Sequence, residues 1–432
     1  MDPVEIVVLS GALLLFALVS RRAEAGVVTP PMAFAALGLV IGAAGLGLVA
    51  FSGEDEVVRA LAEITLVLML FTDASRIDVT ALDRSHAIPI RLLAIGLPLT
   101  MLAGTGAAWL LFPAMGVFGA AALAVILAPT DAALGQAVVS NRAVPQRIRQ
   151  ALNVESGLND GLAFPALLVV ATLAAGLEGR GAEGWVGFVG AQVVFGPLAG
   201  IVVARIGGGL AERAVAKGWM DELYLRLATL ALPLLAYGLA ETVEGNGFLA
   251  AFACGLTVAA RTEKVRGAAG RFGEAEGQLL ALAVFVLFGA TLLPDIGGLN
   301  WRHVLFAALA LTVLRMVPAA LSLQGMGLRL PTILFLGWFG PRGLASVIYL
   351  LLVLEDYAAM PGIEDLRLSV LATVAGSIVL HGVTAAPLAR AYGRRMGGGD
   401  HPEHRRVDLF ALRVDARRRR DGGQGAAQPP RV

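Results

Sequence analysis

The sequence predicts an all-helical, polytopic membrane protein, and three observations predict it. Of 432 residues, 57% are hydrophobic and only 16% charged, where a soluble domain carries about 25% charged residues. The mean hydropathy is +0.75. Apolar runs long enough to cross a hydrocarbon core, about 20 residues each, recur from end to end. Glycine, at 53 residues, suits close helix packing in lipid. The single cysteine, Cys254, excludes an internal disulfide and a cysteine metal cluster and fits inert packing. The N-terminus lacks the order of a cleavable signal peptide, because Asp2 and Glu5 precede the apolar run and Arg21 and Arg22 follow it.

The hydropathy pattern places about 13 transmembrane spans at 4–20, 31–51, 57–73, 87–112, 115–139, 150–177, 185–206, 221–243, 247–260, 277–294, 302–324, 331–354 and 366–391. The ninth, 247–260, is short for a crossing, and charge placement argues for it. Lys and Arg gather in alternate connections: Arg21, Arg22, Arg76, Arg84, Arg91, Arg142, Arg147, Arg149, Arg205, Arg213, Lys217, Arg261, Lys264, Arg266, Arg271 and Arg329. The intervening connections hold only Arg59, Arg180, Arg302 and Arg367. Dropping any span would break this alternation. The positive-inside rule then puts the N-terminus outside and the C-terminus in the cytoplasm of a multi-pass cell (inner) membrane protein. Arg226 sits near a helix end and can snorkel. Arg315 and Arg342 lie too deep for that and need partners; the pattern names none for Arg315.

An odd number of spans lets the first six and last six form two inverted repeats around a lone seventh. The fifth span then matches the twelfth, and these carry Ala128-Pro129-Thr130 and Phe339-Gly340-Pro341-Arg342-Gly343. Helix breaks at matched positions of two halves point to a transporter site. Beyond about residue 391 the chain turns polar, with Gly397-Gly398-Gly399 and Arg417–Arg420. Residues 394–432 therefore read as a basic, disordered cytoplasmic tail, solvated or touching anionic lipid.

Three polar signatures sit inside the apolar spans: Pro129-Thr130-Asp131, Glu155-Ser156-Gly157-Leu158-Asn159-Asp160 and Gly340-Pro341-Arg342-Gly343. A charge at a helix centre costs about 2.5–3.5 kcal/mol even on mild insertion scales, so such residues mark ion or substrate routes. Helical rise puts Asp160 roughly 15 Å from the cytoplasmic end of its span, with Asp131 and Arg342 at similar depth. On one helix Ser156 and Asp160 share a face, and Glu155 and Asn159 share the adjacent one. Pro129 removes a backbone donor, which frees nearby carbonyls for a cation. Oxygen ligands of this kind suit a hard alkali ion, and no His or Cys cluster accompanies them. Burial penalises a charged carboxylate and a bound cation offsets that penalty, so protons and metal ions compete for Asp160 and Asp131.

In these residues the chain resembles the NhaP-type sodium/proton antiporters, the electroneutral branch of the cation:proton antiporter superfamily. The resemblance spans about 5–393 and rests on Ala128-Pro129-Thr130-Asp131, on Asn153 through Gly161, on Gly337 through Gly343, and on Ser377-Ile378-Val379-Leu380-His381-Gly382. It implies that Asp160 is the central cation and proton carrier, with Asp131, Ser156 and the Thr130 carbonyl completing the shell of a monovalent cation. Asp73 falls where relatives carry an acidic residue that reaches the ion through water, usually the longer Glu. Glu155 and Arg342 match a structural ion pair. Asn159 matches the electroneutral branch, implying one proton per Na⁺, Li⁺ or K⁺. The resemblance further implies a homodimer. Its membrane domain, 1–393, has core helices at about 87–177 and 302–391 around broken, crossed helices 5 and 12. Dimerisation helices lie at about 4–73 and 221–294, with a linker helix at about 185–206. It implies no enzyme activity, no cofactor and no nucleic-acid partner.

Plainer readings stand beside these. Asp73 at a helix end can be solvated, Ser156 and Thr130 are common packing residues, and His381 can be packing or a pH sensor. Glu54-Asp55-Glu56 and Glu355-Asp356 read as solvated outer faces. A non-coupled cation channel or transceptor on the same fold, or an organic-anion transporter using Arg315 and Arg342, would be alternatives to an antiporter. An ATP-driven pump is disfavoured, because no phosphate-binding Gly-x-x-x-x-Gly-Lys-Ser/Thr loop is present.

Overall fold

A computed structural model describes residues 3–25, 28–49, 56–76, 87–139, 141, 143–176 and 182–396. Its first three helices are α1 (Pro3–Ala25), α2 (Pro30–Ile41) and α3 (Glu56–Ser75). Helix α2 starts at Pro30-Pro31, where the missing N–H groups are not needed for the helix ladder. The next apolar stretch comprises α4 (Ala87–Arg91) and α5 (Leu97–Leu111), joined by a π-helical turn. Helices α6 (Gly116–Ile126) and α7 (Ala132–Val139) follow as two halves of one interrupted stretch, then the long α8 (Gln146–Ala174).

A second series begins with α9 (Ala182–Val203) and α10 (Gly209–Ala216), again joined through a π-helical turn. Helix α11 (Glu222–Thr242) starts where the Asp221 carboxylate accepts from the Tyr224 N–H, and α12 (Gly247–Arg261) where the Asn246 side chain accepts from Leu249. Helices α13 (Glu263–Leu287), α14 (Trp301–Leu311) and α15 (Val313–Ser322) lead to a second interrupted stretch, α16 (Leu330–Trp338) and α17 (Leu344–Asp356). Helix α18 (Ile363–Met396) ends the described chain. Among the described residues there is no strand.

Each expected span has a helical counterpart, including the short one at 247–260. Among the described residues, seven helical stretches are both long and apolar enough to cross a membrane. The expected boundary at 393 moves: α18 continues to Met396, so the first residues assigned to the tail are helical. The rest of that tail, 397–432, lies outside the described residues, as do Arg84, Arg142 and Arg180.

Two packing groups position the site. Helices α5, α8, α15 and α18 pack against the two interrupted stretches, α6 with α7 and α16 with α17, and α14 packs on α5, α15 and α18. Helices α3, α9, α11, α12 and α13 form a second group, in which α12 lies against both α9 and α3. The α12–α3 approach is close because Gly255 has no side chain; a Cβ there would run into the Phe71 carbonyl. That contact holds the end of α3, and with it Asp73, beside α8.

The structure also adds a break that the hydropathy pattern does not signal. Thr312, between α14 and α15, leaves helical geometry (φ −120°, ψ −92°). The chain restarts from the Thr312 carbonyl, which accepts from Met316 N–H at 2.7 Å. This break turns Arg315 into the protein interior, where it is 1% exposed.

Candidate functional site

The two interruptions meet each other. Between α6 and α7 the chain runs through Leu127-Ala128-Pro129-Thr130-Asp131, and between α16 and α17 through Phe339-Gly340-Pro341-Arg342-Gly343. Every residue of both segments is buried, so their backbone polar groups need protein partners. They find several in each other. The Asp131 N–H donates to the Pro341 carbonyl at 2.8 Å. The Leu344 N–H, first in α17, donates to Asp131 Oδ2 at 2.7 Å. In return Arg342 Nη1 donates to the Pro129 carbonyl at 3.1 Å, and Ser346 Oγ to the Ile126 carbonyl at 2.8 Å.

The signs of these contacts follow the helix dipole. A carboxylate caps the positive N-terminus of α17, and a guanidinium meets carbonyls beyond the negative C-terminus of α6. Proline removes a donor in each break, at Pro129 and Pro341. Gly343 is required for a steric reason: a Cβ there would collide with the Asp131 carboxylate. Gly340 plays the same part beside Arg315 Nε and the Thr130 methyl.

Helix α18 braces the second break. Ser377 Oγ accepts from the Arg342 N–H at 2.7 Å. It also lies 3.1 Å from His381 Nδ1, while His381 Nε2 lies 3.0 Å from the Trp338 carbonyl at the end of α16. One arrangement satisfies all three contacts: Nε2–H donates to Trp338, and the Ser377 hydroxyl donates to Nδ1. His381 thus adds a second donor to the helix-end Trp338 carbonyl, which also accepts from the Gly340 N–H at 2.8 Å.

Helix α8 presents its polar residues to this junction. Ser156 Oγ donates to the Thr130 carbonyl at 2.5 Å, and Asn159 Nδ2 to Thr130 Oγ1 at 2.7 Å. Two groups assigned by resemblance to the cation shell, Ser156 and the Thr130 carbonyl, therefore satisfy each other in this conformation. Asp160 is 8% exposed, and its Oδ1 is buried without a hydrogen-bond partner among the described residues. Asp73, on α3, packs against α8 at Gly157, where a Cβ would lie 3.7 Å from its own Cβ. The carboxylates of Asp73, Asp131 and Asp160 are close enough to repel one another, and Arg76 attracts that of Asp73.

One expectation is corrected. Glu155 makes its ion pair with Arg315 Nη2, at 2.6 Å, rather than with Arg342. Arg315 gets there because the Thr312 break and the missing side chain of Gly340 open a path for it. Arg342 lies near the pair and repels Arg315, but its directed contacts go to Pro129 and Ser377. The partner of Arg315 and the bracing contacts of Ser377 and His381 are features the sequence pattern did not assign. Arg315 carried a signal as a charge deep in an apolar span, and Ser377 and His381 did so as part of the motif Ser377 through Gly382.

A cavity of about 10 Å³, room for one water-sized body, reaches this junction. Its lining includes Thr130, Asp131, Asn153, Ser156, Phe339 and Pro341. Asp131 and Ser156 therefore border this cavity, and Asp160 is not part of its lining. Among the described residues no group of three or more His, Cys, Asp or Glu side chains could hold a metal ion.

The fold and sequence have relatives. The chain is 28% identical over 263 residues to the Na(+)/H(+) antiporter 2 of Zygosaccharomyces rouxii, covering 55% of this chain and 31% of that protein. It is 24% identical over 366 residues to the K(+)/H(+) antiporter NhaP2 of Shewanella oneidensis, covering 83% of this chain and 61% of the relative. The chain thus spans less than two thirds of the length of these curated relatives. The solved sodium proton antiporter MjNhaP1 of Methanocaldococcus jannaschii superposes with a TM-score of 0.73 at 19% identity, covering 90% of this chain and 98% of that one, and so shares the fold. A model of the transmembrane sodium/hydrogen exchanger family matches residues 8–391. The chain belongs to the sodium/hydrogen exchanger family.

Proposed function

We propose that this protein is a secondary antiporter that exchanges a monovalent cation for protons, with both competing for Asp160 and Asp131. The observation that carries this reading is the Asp160 carboxylate, buried with one oxygen unpartnered. A buried carboxylate oxygen in that state calls for a proton or a cation. Asp131, Ser156 and Thr130 supply further oxygens at the same junction, and Asp73 adds negative charge from α3. A cation that enters from the cavity meets Asp131 first, breaks the Ser156–Thr130 bond and draws both oxygens onto itself. A proton on Asp160 removes the charge that attracts the cation, so one species leaves as the other binds.

The family supports Na⁺ as the cargo, and the named similarity to a K(+)/H(+) antiporter supports K⁺ as the second reading. Asn159, spent on Thr130 Oγ1, adds no carboxylate to the site, which fits one cation exchanged for one proton. In the working scheme, helices within 87–177 and 302–391 move as a core against helices within 4–73 and 221–294. The chain forms a homodimer, with its N-terminus outside and its C-terminus in the cytoplasm. The charge alternation supports the placement of the termini.

The test is a pH-gradient dequenching assay on proteoliposomes, with Na⁺, Li⁺ and K⁺ in turn. Antiport predicts that each transported cation dissipates the gradient. Cation uptake that ignores the pH gradient would instead make the protein a channel on this fold. Transport at zero pH gradient that responds to an imposed membrane potential would rule out one-for-one exchange.

A further inference from the structure

The turn of α8 that follows Asp160 is weak by composition. Pro165 lies inside the helix and has no N–H, so the Gly161 carbonyl loses its donor from four residues on. The proline ring also presses against that carbonyl. Gly161 adds backbone freedom at the same place. A helix that carries a charged side chain at its most deformable turn needs something to fix where that side chain points.

Two aromatic residues grip this turn from opposite groups of helices. From α12, the ring of Phe252 occupies the notch left by Gly161, where a Cβ would collide with it. From α17, Tyr349 is fully buried, and its hydroxyl donates to the Asp160 carbonyl at 2.7 Å. Its ring lies 5.5 Å from that of Phe164, in the same turn. Phe252 offers only shape. Tyr349 offers a directed bond, and α17 is the half-helix that Asp131 caps.

We propose that Tyr349 is a positioning residue for cation binding: its hydroxyl ties the Asp160 backbone to α17, across a turn that Pro165 leaves soft. The tie holds Asp160 at a fixed distance from Asp131, because both residues are then bonded to the same half-helix. Without it the Asp160 side chain samples positions outside the cation shell, and the cation binds more weakly. The ceiling of the transport cycle is unaffected, because no atom of Tyr349 touches the ion. The inference rests on the proposed role of Asp160.

The test compares the full-length parent, Tyr349→Phe and Tyr349→Phe/Pro165→Ala, with Na⁺, Li⁺ and K⁺ each alone. Two readouts are taken: proteoliposome transport, and thermal stabilisation of the purified protein by added cation. Loss of one buried hydrogen bond predicts a half-saturation concentration raised about fivefold in both readouts. The maximal rate stays within about twofold and the cation-free melting temperature is nearly unchanged. The Pro165→Ala change restores a donor to the Gly161 carbonyl, so the double variant recovers much of the lost affinity. An unchanged half-saturation concentration in Tyr349→Phe overturns the proposal. So does a fall in rate and melting temperature with affinity intact, which would make Tyr349 a packing residue. A parent stabilised by cation but unable to exchange it overturns the antiport reading alone, and the stabilisation series still decides the role of Tyr349. A parent with neither property overturns both.

Discussion

Glu155 and Asp160 lie on the same helix, both buried, yet the protein treats them in opposite ways. Glu155 is 2% exposed and ion-paired to Arg315, itself 1% exposed. Asp160 keeps an unpartnered buried oxygen and has two carboxylates as electrostatic neighbours. A charge with a fixed counter-ion is committed to structure, because removing either partner strands the other. For a buried carboxylate among like charges the ionised form is disfavoured, and a bound cation offsets that penalty. The difference between a clasp and a carrier is therefore a matter of what surrounds each carboxylate.

The clasp side of this comparison should break most dramatically. Glu155→Ala leaves Arg315 buried without its counter-ion, at a cost of about 3–5 kcal/mol. The expected outcome is a large drop in melting temperature in detergent. The double variant Glu155→Leu/Arg315→Met removes both charges and should recover most of that loss. A double variant as unstable as the single one would mean that the pair does more than neutralise itself.

Gly343→Ala comes next. Its Cβ enters the space of the Asp131 carboxylate, which must abandon the α17 N-terminus or push the breaks apart. Overpacking of this kind costs about 1–3 kcal/mol, and weaker cation binding should accompany the lower melting temperature. Wild-type cation affinity in this variant would show that Asp131 does not need its cap.

Ser377→Ala takes away the acceptor of the buried Arg342 N–H and should cost about 1–2 kcal/mol. Unchanged thermal stability would show that α18 does not brace the break. Ser156→Ala has the smallest expected effect on stability, about 1 kcal/mol or less, since it deletes only the bond to the Thr130 carbonyl. It should raise the half-saturation concentration of the cation several-fold all the same. An unchanged value would remove Ser156 from the shell.

Much of this site was legible in the sequence, because its raw materials are expensive in lipid. Pro129, Pro341, Asp131, Asp160, Glu155 and Arg342 each violate the rule for an apolar helix. Their depths could be estimated from helical rise alone. Partner choice was not legible. Whether Glu155 takes Arg342 or Arg315 depends on the break at Thr312, and threonine is common in membrane helices. Likewise Ser377 and His381 lie in a motif that marks the family without naming their partners, and Tyr349 acts through one long-range hydrogen bond that its local sequence does not signal. The long-range geometry had to be seen.

The central claim is that Asp160 carries the exchange while Glu155 holds the fold, and one paired measurement tests it. Asp160→Asn and Glu155→Gln are each purified, melted in detergent and assayed for cation-driven dissipation of a pH gradient in proteoliposomes. The account predicts that Asp160→Asn abolishes exchange with Na⁺, Li⁺ and K⁺ while melting no lower than the parent, whereas Glu155→Gln melts well below it. Exchange that persists in Asp160→Asn, or a collapse of its stability with Glu155→Gln left intact, would contradict the account.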